Sequence, residues 1–270
     1  MDKLINPGRI IFAIGIMGLG IICFISKDFI VGRPPAWPAG FEVNPLLAYV
    51  SGAILIISAI AIIFTKKAGL AALLIAVLIF LLSVLRHIPH FMNDWVNAYK
   101  SMALFGGALI IASSFFKEDS DTITGSRFGR LQKSLVGTGL LLLATFFIAC
   151  GYAHFKFAEF IKTFIPAYIP FHAFWTYFCG ICLFAGGAGL LIDQTRRWAA
   201  LFSGIMISGW FILLHIPRFI ANTSDVSDRM GLCESFTFIG IFFVLAGMLS
   251  GMSNTLKPLY HSYSSPPEEG

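Results

Sequence analysis

The sequence predicts an all-α integral membrane protein with eight transmembrane helices arranged as two parallel four-helix bundles. Three observations predict it. Of the 270 residues, 57% are hydrophobic and only 12% charged, against about 25% charged in an ordinary soluble domain. Eight apolar runs are marked off by charge, proline and polar clusters. The chain also repeats itself once, at an offset of 128 residues. With a mean hydropathy of +0.82, the composition excludes a soluble enzyme, a disordered chain and a nucleic-acid reader. The net charge of +5 is small and is explained by a membrane rather than by nucleic acid.

The runs fall at 10–26, 46–64, 68–88, 100–116, 134–154, 172–192, 198–217 and 232–250. Each has roughly the length that crosses a hydrocarbon core of about 30 Å as a helix. A backbone in lipid must satisfy its own hydrogen bonds, so helices are the expected form. The runs lack the alternation of barrel strands. The first is read as a retained anchor, because its end (Phe24, Ile25, Ser26, Lys27, Asp28) has no small-residue cleavage site.

Orientation follows from Lys and Arg. The side of the N-terminus carries eleven, including Lys3, Arg9, Lys66, Lys67, Arg196 and Arg197; the other side carries eight. Both termini are therefore expected in the cytoplasm, and the chain in the cell (inner) membrane. Trp37, Trp95 and Trp175 are expected to mark the outer interface, and Trp198 the inner one.

The repeat is visible residue by residue. Pro38-Ala39 falls on Pro166-Ala167, Tyr49 on Tyr177, Gly52 on Gly180 and His87-Ile88-Pro89 on His215-Ile216-Pro217. Small shifts bring Gly8-Arg9 onto Gly129-Arg130 and Ser101 onto Ser235. Four helices return the chain to its starting side, so the units are parallel and equivalent residues share one depth. The expected organisation is a first unit over 8–116, a cytoplasmic linker over 117–133, a second unit over 134–252 and a disordered tail over 253–270.

The second unit reads Gly151-Tyr152-Ala153-His154-Phe155, then Phe164-Ile165-Pro166-Ala167-Tyr168-Ile169-Pro170, then Phe174 through Gly180, then Ala185-Gly186-Gly187-Ala188-Gly189-Leu190-Leu191. This resembles the DoxX-like family of four-helix membrane proteins. Lys100 through Leu109 looks like that family's fourth helix. The resemblance implies one four-helix bundle per unit and a tie to membrane redox chemistry, with relatives acting on thiosulfate and quinone. The first unit departs from it: the register sets Ser26 where the second has His154.

His87, His90, His154, His172 and His215 all fall near the outer ends of helices or in outer loops. Imidazole in lipid is costly unless it faces the bundle or finds a partner. His87 and His215 each precede a proline by two residues. Proline frees the carbonyl four residues back, here Leu85 and Leu213, so each third helix is expected to bend or end there. Freed carbonyls and imidazoles can line a polar cavity, or simply stop a helix at the interface. The expected cofactor-binding residues are His87, His215, Arg86, Arg218 and His154. Imidazole would hydrogen-bond a quinone and Arg would steady its reduced, anionic form.

His87 and His90 share a helical face, but Arg218 replaces His90 in the second unit, so no metal site is expected. Glu234 has Arg229 or a histidine as a candidate partner; Lys100, its register equivalent, has the opposite sign, which fits an ion pair between units about as well as it fits chemistry. Cys179-Gly180-Ile181-Cys182 spells C-x-x-C. Thiols in apolar surroundings react slowly, and small core residues of a bundle explain the pair better than redox chemistry does.

No Walker loop, no GxGxxG after a strand, no HExxH and no Ser-His-Asp order occurs. The leading expectation is an accessory or quinone-interacting component of a membrane redox system, with the lipid bilayer and a membrane or periplasmic redox protein as partners. The alternatives are a small-solute or lipid transporter or carrier, and a non-catalytic scaffold.

Overall fold

A computed structural model describes residues 1–41, 44–116 and 127–261, with side chains from 129 to 250 in the last segment. The described residues are helical, with no strand among them. Among the described residues, eight helices are long and apolar enough to cross a membrane, as expected of a multi-pass membrane protein. The first five are α1 (Ile5–Ser26), α2 (Pro45–Phe64), α3 (Ala68–His87), α4 (Trp95–Ser113) and α5 (Arg127–Lys156). A short helix α6 (Ala158–Lys162) precedes α7 (His172–Leu191) and α8 (Arg196–Trp210); α9 (Ile216–Ala221) continues α8, and α10 (Val226–His261) is the last described helix. Helix α5 already begins inside the segment expected as a linker, while 117–126 and 262–270 lie outside the described residues. The backbone of α10 continues into the segment expected as a disordered tail.

Local chemistry explains the helix ends. Asn44 caps α2 by accepting from the Leu46 N–H at 2.9 Å, with Pro45 in the first turn. Lys27 closes α1 in the left-handed conformation. Asp225 accepts from the Asp228 N–H at the start of α10.

Each helix packs on its sequence neighbours, and the chain closes through α1 against α10. Helix α4 packs on α5 and also touches α10 across the centre. The spanning windows of α10 and α4 are 72% and 67% buried, whereas that of α8 is 17% buried. Thus α4 and α10 form the middle and α8 the rim. In lipid no hydrophobic force draws helices together, so close contact depends on small residues. A Cβ on Gly240 would fall 2.6 Å from the Gly8 carbonyl, and one on Gly139 would fall 2.6 Å from the Gly106 carbonyl.

These contacts correct the register of one helix pair. The crossing Gly8–Gly240 of α1 on α10 has the same form as Gly139–Gly106 of α5 on α4. Gly20 meets the Gly52 carbonyl as Gly151 meets that of Gly180. Phe24 stacks on Tyr49 at 5.5 Å as Phe155 packs on Tyr177 at 5.6 Å. By these contacts α1 maps onto α5 at an offset of 131 residues rather than 128. Gly8 therefore matches Gly139, not Gly129, and His154 matches Cys23, not Ser26. Packing glycines and a ring pair set this register, whereas the sequence comparison carried the loop offset back into the helix.

Candidate functional site

For orientation, the end of the bundle away from Met1 is called distal. It carries the C-terminal ends of α1, α3 and α5 and the N-terminal ends of α2, α4 and α7. The five expected site residues all occur towards this end, and the structure divides them into two environments.

Arg86 and His87 are packed shut. Arg86 is 4% exposed. Its guanidinium pairs with Asp28 at 3.0 Å, donates to the carbonyls of Phe29 and Pro35, and lies over the Trp37 ring. His87 Nε2 is 2.9 Å from Ser101 Oγ, and its Nδ1 lies 3.8 Å from Asp94. The loop after α1 seals this region, burying Phe29, Ile30 and Val31. Gly32 is indispensable to the seal. Its φ is +83°, and a Cβ would fall 1.9 Å from Ser101 Oγ. Its N–H donates to Glu234 Oε1 at 2.8 Å.

His154, His215 and Arg218 line a cavity of about 420 Å³ among α5, α7, α8 and α10, within the usual range for small-molecule sites. Arg86 and His87 are not among its lining residues. The expectation that both His-Ile-Pro histidines face one cavity is thus corrected: the loop over the first unit takes up that space, and Arg86 reaches into the loop instead. His154 Nδ1 lies 2.8 Å from the Cys150 carbonyl. A carbonyl only accepts, so Nδ1 carries the proton and Nε2 of the neutral ring is an acceptor. The His215 ring packs against Gly231, where a Cβ would fall 3.0 Å from Nδ1. Arg218 binds Asp228 through Nε and Nη2, each at 2.8 Å, and lies over the Phe164 ring.

The two prolines act differently. Helix α3 ends at His87 and passes into a 3-10 turn, Ile88–His90. Helix α8 instead widens into a π turn, Phe211–His215, and resumes as α9. Pro217 leaves the Leu213 carbonyl without its helical donor, and the Tyr168 hydroxyl supplies one. Such π turns are common at functional sites.

The polar floor of the cavity comes from both halves of the chain. Lys100 Nζ pairs with Glu234 Oε2 at 2.8 Å, and both line the cavity together with Arg33. The opposite signs at one register position had suggested this pair. The apolar wall is Phe146, Phe147, Trp175, Met206 and Trp210. Trp175 and Trp210 meet edge to face at 6.0 Å, and Trp210 Nε1 donates to Cys179 Sγ at 3.1 Å. Sequence reasoning missed Asp228, although Asp94 and Asp228 share the offset of Ser101 and Ser235. It also missed Arg33 and the tryptophan wall, which carry no motif. Among the described residues, no group of His, Cys, Asp and Glu is arranged to hold a metal, and every cysteine is a free thiol.

A family model described as a domain of unknown function, DUF8561, matches residues 143–220. That stretch contains His154, Trp175, Cys179, Trp210, His215 and Arg218, and covers less than half of the chain. No curated protein and no solved structure matches it.

Proposed function

We propose that the chain is a tandem pair of DoxX-like four-helix bundles, and that it acts as an accessory or quinone-interacting component of a membrane redox system. The repeated glycine crossings and the ring pair support two parallel units. The excess of Lys and Arg on the side of the N-terminus supports a cell (inner) membrane protein with both termini in the cytoplasm and the cavity towards the outer leaflet.

The observation that carries the functional reading is the cavity. It is walled by aromatic and apolar side chains and holds one imidazole acceptor, a second imidazole and a guanidinium at its distal end. A planar ring with two oxygens suits such walls and polar groups. A bound quinone supplies a couple of two electrons and two protons. His154 Nε2 accepts a hydrogen bond from a hydroxyl of the reduced ring. Arg218, already oriented by Asp228, offers its remaining N–H groups to an anionic oxygen. His215 supports the same end. The Lys100–Glu234 pair keeps the floor polar and adds no net charge of its own beside Arg33. Electrons would pass to a membrane or periplasmic redox protein as partner.

The test is binding of benzoquinone analogues to purified protein, followed by quenching of Trp175 and Trp210. His154→Ala and His215→Ala should each weaken binding about ten-fold or more, the worth of one charge-assisted or well-formed buried hydrogen bond. His87→Ala should leave affinity unchanged and lower thermal stability. Equal affinities in all three variants would defeat the assignment. A second reading, a lipid or small-solute carrier, is favoured by an apolar groove beside the cavity. It predicts solute movement in liposomes without quinone binding; a scaffold predicts neither.

A further inference from the structure

A second cavity, of about 550 Å³, lies between α7 and α8 and is almost wholly apolar. Its lining includes Phe178, Phe202, Ile205 and Leu213, each 45% or more exposed. In a spanning bundle, such exposed apolar side chains face the hydrocarbon. Four residues belong to both cavities: Trp175, Cys179, Met206 and Trp210. They form a thin partition, held by the indole-to-sulfur hydrogen bond between α8 and α7. Only this shared wall separates the apolar lipid-facing groove from the chamber that ends in His154, His215 and Arg218.

Helix α8 suits a movable wall. Its spanning window is the least buried of the eight, and it is interrupted by the π turn immediately beyond Trp210. Small residues floor the groove. At Gly209, a Cβ would meet nothing within 4 Å.

We infer that the space between α7 and α8 is a lateral port through which a membrane-dissolved, long-tailed quinone enters, its head passing the Trp175–Trp210 latch and its tail remaining in the groove. This rests on the quinone reading of the inner cavity and adds the route and the ligand's second half. The amphiphile matches the passage in order, with polar groups at the inner end, aromatic rings in the middle and aliphatic contact outside. A ligand taken directly from water would need no apolar groove against the wall of its chamber.

At Gly209 a Cβ meets open space, so Gly209→Leu extends a side chain into the groove, and Ala185→Leu narrows it from α7. The experiment measures binding of two analogues to the purified full chain, one with a ten-carbon tail and one without a tail. The expected result is a loss of ten-fold or more for the tailed analogue in Gly209→Leu and Ala185→Leu, with the tail-less one unchanged, while His154→Ala weakens both. If the groove variants leave the tailed analogue unchanged and His154→Ala still weakens both, the port is wrong and the quinone site stands. If neither analogue binds the unaltered protein, both ideas fall. Thermal unfolding checks that each variant is folded, and either groove variant suffices.

Discussion

The two halves of the chain place corresponding residues in opposite states. In the first, Leu19, Cys23, Ser51, Leu55, Arg86 and His87 are all buried. Their counterparts Cys150, His154, Cys179, Leu183, Leu214 and His215 line the cavity. The helix pairings are alike; the loop after the first helix, the distal end of the third and one side chain on it are not. In the first half, Phe29, Ile30 and Val31 pack inward, and Arg86 stitches the loop down through Asp28 and two carbonyls. In the second, the equivalent of Arg86 is Leu214, which ties nothing, and Arg218 holds Asp228 instead. Corresponding positions of the two halves are thus filled in one and line a cavity in the other.

The largest expected effect tests the joint between the halves. Lys100→Met leaves the Glu234 carboxylate, which is 4% exposed, without a counter-charge and with the Gly32 N–H as its donor, and should cost about 3 kcal/mol of stability. Lys100→Met with Glu234→Gln should recover most of it. Thermal unfolding in detergent measures both, and additive losses would mean that the pair is not coupled.

Breaking the seal comes next. Gly32→Ala forces a side chain into a positive φ and against Ser101, and should cost about 1–3 kcal/mol. It should also open Cys23, which is fully buried, to a maleimide, while Cys182 in the lipid-facing groove reacts alike in both proteins. Continued protection of Cys23 would show that the loop is not what seals the first half.

The smallest effect concerns Asp94, at the distal start of α4. Burial holds its carboxyl above the ordinary value, against the opposing influence of Asn97, Lys100, Arg33 and His90. The folded state thus binds this proton more tightly than the unfolded chain. Its contribution is fully present below the ordinary carboxylate pKa and is lost as pH rises through that value towards the raised one. Asp94→Asn should flatten the fall in unfolding temperature across that window. An unchanged slope would assign the pH dependence elsewhere.

Much of the architecture is legible in the sequence. Apolar runs bounded by charge give eight crossings, because a backbone in lipid admits few other forms. His-Ile-Pro at one offset reveals the repeat, and Lys100 against Glu234 suggests the central ion pair. The site is only half legible. Both histidines carry the same motif, yet His87 faces Ser101 and His215 faces a cavity. What separates them is how Phe29 through Gly32 fold back over the first unit, and no local pattern encodes where a loop will rest. The register of α1 was likewise decided by Gly8 on Gly240, a contact between opposite ends of the chain. Composition and periodicity dictate which segments enter the membrane, since that depends on each segment's own transfer from water. Which interior is filled depends on side chains far apart in sequence competing for one volume, and only the packed structure resolves that competition.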